Sequence, residues 1–296
     1  METAERICKR FHSYLRAGEY PGRVTAITGE RMDVEASFGT VSVLNAGALQ
    51  PFSCRISGVQ PFTAMDMKPG MDVLMDKKGI AVPDVDFFVD VTLAEDVDLS
   101  IECMVNLFLP VDLSIRARYI HRIIERCSAN EDLSLLVIDP EAAPELKKLY
   151  EPLRDLSAAF FEQDEGHISQ AAAGCSGFGN GIVPASDALL CGYMACFSCL
   201  SYALGRSRDM VLGMTRAAAA GAAANTNENG TVALLQAGEG LVAEDAFQLL
   251  RSLFSDIPYT SITAWGNRLA KGANGVNFLV GISIALHDLY LKNALS

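Results

Sequence analysis

The pattern of apolar and polar positions changes character near residue 110. In residues 2–17, Ile7, Cys8, Phe11 and Leu15 recur at helical spacing against Glu5, Arg6, Lys9 and Arg10. That spacing predicts a leading amphipathic helix, ended by Gly18 and Pro21. From 22 to 105 the period shortens to two. Strands are predicted at 24–28, 32–36, 40–44, 54–57, 72–75, 80–82 and 86–91, with turns at Gly29-Glu30, Phe38-Gly39 and Asp76-Lys77-Lys78-Gly79. Many short antiparallel strands at this spacing suit a small barrel or sandwich.

Beyond 110 the helical period dominates. Helices are predicted at 114–127, 145–162, 188–204, 209–224, 232–237, 243–253, 261–270 and 276–291. The expected fold class is therefore α+β: a β-rich N-terminal domain over 1–108, then a mainly helical domain over 109–296. The 188–204 run is apolar on nearly every side, so it should be buried. It falls short of the roughly 20 residues that span a bilayer, and it contains Gly192, Ser198 and Ser201.

Composition narrows the partners. Half of the 296 residues are hydrophobic, enough for a sizeable core, and the net charge is −12. That charge argues against a nucleic-acid partner or an anionic membrane surface. A small anion can still bind where backbone N–H groups or a few cations gather locally. The eight cysteines are Cys8, Cys54, Cys103, Cys127, Cys175, Cys191, Cys196 and Cys199, and the first residues lack a basic-then-apolar leader pattern. Reduced thiols in a cytoplasmic chain are the expectation. Cys196 and Cys199 have metal or redox spacing, but inside an apolar helix with no second pair they read as buried packing residues.

Motifs with known mechanics are missing. His12, His121, His167 and His287 are far apart, so no metal is expected. There is no Walker loop, no dinucleotide fingerprint, no zincin helix and no nucleophile elbow, and no cofactor is expected.

The candidate chemistry lies in three loops of the helical half. Gly174, Gly177, Gly179 and Gly181 fall within eight residues and run through Pro184 to Asp187 at the start of the buried helix. Glycines allow positive φ and close approach of a ligand, and Pro184 suits a first helical turn. A glycine loop feeding a helix N-terminus can make an anion site from free N–H groups. A surface turn into a core helix explains the same residues, and the local pattern leaves both open. A polar loop at 225–231 and a second glycine loop at 271–275 add Asn225, Thr226, Lys271, Asn274 and Asn277. The two glycine loops are expected to line opposite sides of one pocket. Ser186 and Asp187 are the catalytic candidates: Asp187 is either a first-turn carboxylate favoured by the helix dipole or a group orienting a substrate amide or ureido function. Gly177, Gly179, Asn180 and Gly181 are the candidate anion-binding residues, with Asn225, Thr226, Lys271, Asn274 and Asn277 completing the set.

At these residues the chain resembles the AllH-like family of oxamate carbamoyltransferase subunits. That family carries Gly-x-Gly-x-Gly-Leu-Thr-Pro-Ser-Gly-Asp-Asp before an apolar helix. Here residues 177–188 read Gly-Phe-Gly-Asn-Gly-Ile-Val-Pro-Ala-Ser-Asp-Ala. The family's late Gly-His-Ser-Ser-Gly-x-Asp loop looks like 271–277, and its Thr-rich segment looks like 225–240. The resemblance implies carbamoyl transfer between oxalurate and phosphate in allantoin and purine breakdown, with oxamate and carbamoyl phosphate as products. It implies FdrA-like and AllG-like partner subunits, and phosphate, carbamoyl phosphate or a ureido acid as the small anionic ligand. Val183 stands where the family has Thr, Ala188 where it has a second Asp, and Gly272 and Asn277 replace a His and an Asp. These departures point either to another substrate or to a non-catalytic subunit that binds a small anion.

Overall fold

The computed structural model describes residues 2–57, 60–108, 112–128, 133–141 and 144–291. Two compact units divide between Leu99 and Ser100, against an expected boundary at 108–109.

The first unit is a closed barrel. Its strands are β1 (Glu2–Cys8), β2 (Tyr20–Ile27), β3 (Arg31–Ala36), β4 (Gly39–Leu44), β5 (Ser53–Ile56), β6 (Asp72–Met75), β7 (Gly79–Val82), β8 (Phe87–Asp90) and β9 (Glu95–Val97). Hydrogen bonding runs β5-β4-β3-β2-β6-β7-β8-β1, β1 returns to β5, and β9 adds to β1. Closure removes the exposed edges that an open sheet of this size would carry. Alternation is clear where one face is buried: Met32 and Val34 on β3, Val73 and Met75 on β6. The Asp76–Gly79 turn joins β6 to β7 through paired bonds between Asp76 and Gly79, and the Asp76 carboxylate accepts from Lys78 N at 2.7 Å.

Two expectations are corrected here. The leading helix, α1 (Lys9–Ala17), begins only at Lys9, because residues 2–8 form a strand. The 3.6-residue pattern reaches back into that strand, but long-range pairing to β5, β8 and β9 decides its conformation. The sheet is also not wholly antiparallel: β1 runs parallel to β8 and β9, and β4 runs parallel to β5.

The second unit is helical. Its helices are α2 (Leu113–Cys127), α3 (Leu135–Ile138), α4 (Lys147–Glu162), α5 (Glu165–Cys175), α6 (Ala185–Ala203), α7 (Arg208–Ala223), α8 (Glu228–Gly238), α9 (Glu244–Phe254), α10 (Tyr259–Ala270) and α11 (Gly275–Ala285). The final predicted helix changes to a π turn at Leu286–Leu291. Helix α6 is the centre of the unit, buried from Ala185 to Tyr202. Its tightest neighbour is α11, and glycines make the approach possible. A methyl group at Gly192 would collide with the Phe278 carbonyl, its carbon only 2.9 Å away, and one at Gly281 would sit 2.8 Å from Tyr193 N. No helix among the described residues is long and apolar enough to cross a membrane.

Candidate functional site

The loop between α5 and α6 is built by the start of α6. Gly177, Gly179 and Gly181 have φ of 78°, 94° and 123°, a region that costs residues with a side chain dearly. Here the chain doubles back over the helix. A Cβ at Gly179 would lie 2.7 Å from the Cβ of Ala185, and one at Gly177 would overlap the Asn225 carbonyl. Ser186 fastens the fold-back twice: its hydroxyl accepts from Phe178 N at 2.8 Å, and its amide donates to the Phe178 carbonyl at 3.0 Å. The amides of Asp187 and Ala188 turn to the Pro184 carbonyl at 3.1 and 3.2 Å. Much of the first turn of α6 is thus satisfied by the loop rather than presented to a ligand. Pro184 is the capping residue just ahead of that turn. Gly174, expected in the loop, belongs to α5, where Pro152 of α4 packs 3.3 Å from the position of its missing Cβ.

Asparagines from the other two loops hold carbonyls of the glycine loop and of the end of α5. Asn225 donates to Ala173 O at 3.0 Å, Asn227 to Ile182 O at 3.1 Å, and Asn274 to Val183 O at 2.7 Å. Asn274 sits at φ 61°, a left-handed position Asn tolerates, and caps the start of α11. Asn277 supports it from below: its amide donates to Asn274 Oδ1 at 3.0 Å, while its own Oδ1 accepts from Leu133 N at 2.8 Å. The two glycine loops expected to face each other across a pocket are instead in direct contact through Asn274.

Asp187 ties the constellation together and is fully buried. One carboxylate oxygen accepts from Gly177 N at 2.8 Å, and the other accepts the hydroxyl of Thr226. Gly230 must lack a side chain, since a Cβ there would overlap both Asp187 and Thr226. Burial pushes the Asp187 carboxyl above its ordinary value, with the Thr226, Gly177 and Ser186 hydrogen bonds opposing that shift. Both catalytic candidates are therefore engaged in holding the loop.

What the loop leaves open is backbone. The amides of 179–183 make no hydrogen bond among the described residues, and Gly179, Asn180, Gly181 and Ile182 are exposed. A planar trans peptide points its N–H opposite to its C=O. The Phe178 carbonyl turns inward to Ser186, so Gly179 N–H turns outward. The Ile182 carbonyl turns to Asn227, so Val183 N–H turns away from that asparagine. Successive amides around left-handed residues make a concavity suited to an anion.

The remaining sequence candidates fare differently. Asn180 is exposed at the loop tip beside Ile182, itself 77% exposed. Lys271 is exposed at the end of α10. A cation that stands by the loop is Lys148 of α4, whose Nζ lies 4.5 Å from the centre of the Phe178 ring. Neither Lys148 nor Gly230 was among the residues expected from sequence. Lys148 lies well upstream in an amphipathic helix and carries no local signal, whereas Gly230 had one, a glycine inside a polar capping segment. Cys191, Cys196 and Cys199 are buried with their thiols pushed up by desolvation. No group of three or more His, Cys, Asp or Glu among the described residues is placed to hold a metal.

Comparison with known proteins adds one finding. Residues 176–286 match a family model described as oxamate carbamoyltransferase subunit AllH. The matched segment is rather more than a third of the chain, contains all three loops, and bears out the AllH-like resemblance. No curated protein and no solved structure matches the chain.

Proposed function

From the match of the loop-bearing segment to an oxamate carbamoyltransferase subunit, we propose that this chain binds the anionic substrate of a carbamoyl-transferring assembly through its 177–183 loop. The observation that carries the reading is the set of unbonded amides at 179–183, fixed in place by Ser186, Asn227 and Asn274. In the reaction implied, a phosphate oxygen attacks the carbamoyl carbon of oxalurate. The carbon–nitrogen bond to the oxamate half breaks, that nitrogen takes a proton, and carbamoyl phosphate and oxamate leave. Outward amides would neutralise phosphate or the oxyanion that develops at the attacked carbonyl. Asp187 and Ser186 act on the loop, and through it on the ligand. The partners are FdrA-like and AllG-like subunits.

A second reading is favoured by a specific observation. Both oxygens of Asp187 and the hydroxyl of Ser186 are occupied within the protein, which suits a subunit that binds a small anion and leaves proton transfer to a partner. The test reconstitutes the chain with its partner subunits and follows carbamoyl phosphate formed from oxalurate and phosphate. Turnover that falls in Gly179→Val supports the transferase reading. Turnover by the partners alone, unaffected by this chain, would overturn it.

A further inference from the structure

Several cations of the helical unit are already paired with carboxylates. Among the described residues Arg208 pairs with Glu102, Arg216 with Glu239, and Arg268 with Asp245. Lys148 has no such carboxylate partner among the described residues and instead holds its ammonium over the Phe178 ring. Its position is fixed by more than that contact. Pro152 lies one helical turn further along the same face of α4 and packs against Gly174 at the end of α5, immediately before the loop. The face of α4 bearing Lys148 is thereby seated against the entry of the loop. Phe178 is in turn immobilised at both its amide and its carbonyl by Ser186. An exposed ammonium held over an aromatic ring keeps access to water and loses little freedom on meeting an anion.

We propose that Lys148 is the cationic binding residue of the 177–183 loop site. It would supply the charge that selects phosphate or a carboxylate-bearing ureido acid over a neutral amide. The inference rests on the reading of that loop as the substrate site. In a chain of net charge −12, a cation at the rim also offsets the repulsion an anion meets on approach. The role assigned to Lys271 from sequence falls to Lys148, because Lys148 stands over Phe178 of the loop on a helix that Pro152 seats against the end of α5.

The test measures inorganic phosphate binding to the full chain by calorimetry and thermal shift at low salt. Wild type, Lys148→Met, Lys148→Arg, Lys271→Met and Gly179→Val are compared. Methionine keeps an apolar stem of similar length but removes the charge. The expected result is a roughly tenfold weaker affinity in Lys148→Met, with wild-type affinity in Lys271→Met and largely preserved affinity in Lys148→Arg, a pattern in line with a single charged contact. Binding should be lost in Gly179→Val. Equal affinity in wild type and Lys148→Met, with loss in Gly179→Val, overturns the Lys148 assignment and leaves the loop site standing. No binding by the wild type overturns the loop reading and this inference with it.

Discussion

Replacing Asp187 separates its charge from its geometry. In Asp187→Ala, the Gly177 amide and the Thr226 hydroxyl lose their acceptor, and a small cavity opens at a fully buried position. Hydrogen bonds to a charged group are worth about 1.5–3 kcal/mol each. Gly177 is exposed, so water can replace its lost partner, and its share falls to the low end. The expected loss is about 2–4 kcal/mol. Asp187→Asn keeps both contacts: its oxygen accepts from Gly177, its amide donates to Thr226, and the hydroxyl reverses role. That variant should cost within about 1 kcal/mol at neutral pH.

The pH dependence has a definite sign. Burial raises the folded-state pKa of Asp187 above the ordinary 3.8, so the folded protein binds this proton more tightly than the unfolded chain. The resulting stabilisation is full below the ordinary value and is lost as pH rises through the raised one. The amide of the Asp187→Asn variant does not titrate, so that variant should compare worst with wild type in acid and best near neutrality. Urea denaturation followed by the fluorescence of Trp265, the single tryptophan, on α10 of the helical unit, reads this directly. Equal losses in the Asn and Ala variants, or an Asn variant that worsens as pH rises, would refute the reasoning.

Three further outcomes are expected. Gly192→Ala forces a methyl group against the Phe278 carbonyl at the α6–α11 crossing; the backbone cannot swing aside, so about 1–3 kcal/mol or more should be lost in the same denaturation assay. At Asn274, both Ala and Gly remove the bond to Val183, but only Ala must hold a positive φ; Asn274→Ala should be less stable than Asn274→Gly by about 1 kcal/mol. Thiol labelling of the native chain should modify exposed Cys103 and spare buried Cys191, Cys196 and Cys199 until the chain unfolds. Rapid native labelling of Cys196 and Cys199 as a pair would revive a redox role.

The hydrophobic pattern by itself determined the two-part architecture, because burial on one face writes a period of two or 3.6 wherever the core is local to the element. It located seven of the strands and the all-round apolar α6, and its glycine and asparagine clusters marked three loops that do come together. It could not determine that residues 2–8 pair as a strand, since Ile7, Cys8, Phe11 and Leu15 satisfy the helical period equally well and partners far along the chain, in β5, β8 and β9, settle the matter. Nor could it say what the loop residues do. For Asp187 the sequence left open a first-turn carboxylate favoured by the helix dipole and a group orienting substrate, and which groups meet its oxygens depends on Gly177 folding back and Thr226 arriving from another helix pair. Tertiary structure alone brought Lys148 to Phe178 and turned the loop carbonyls inward, leaving the amides of 179–183 without partners among the described residues. Sequence spacing records local periodicity; it carries no record of which distant donor reaches a given oxygen first.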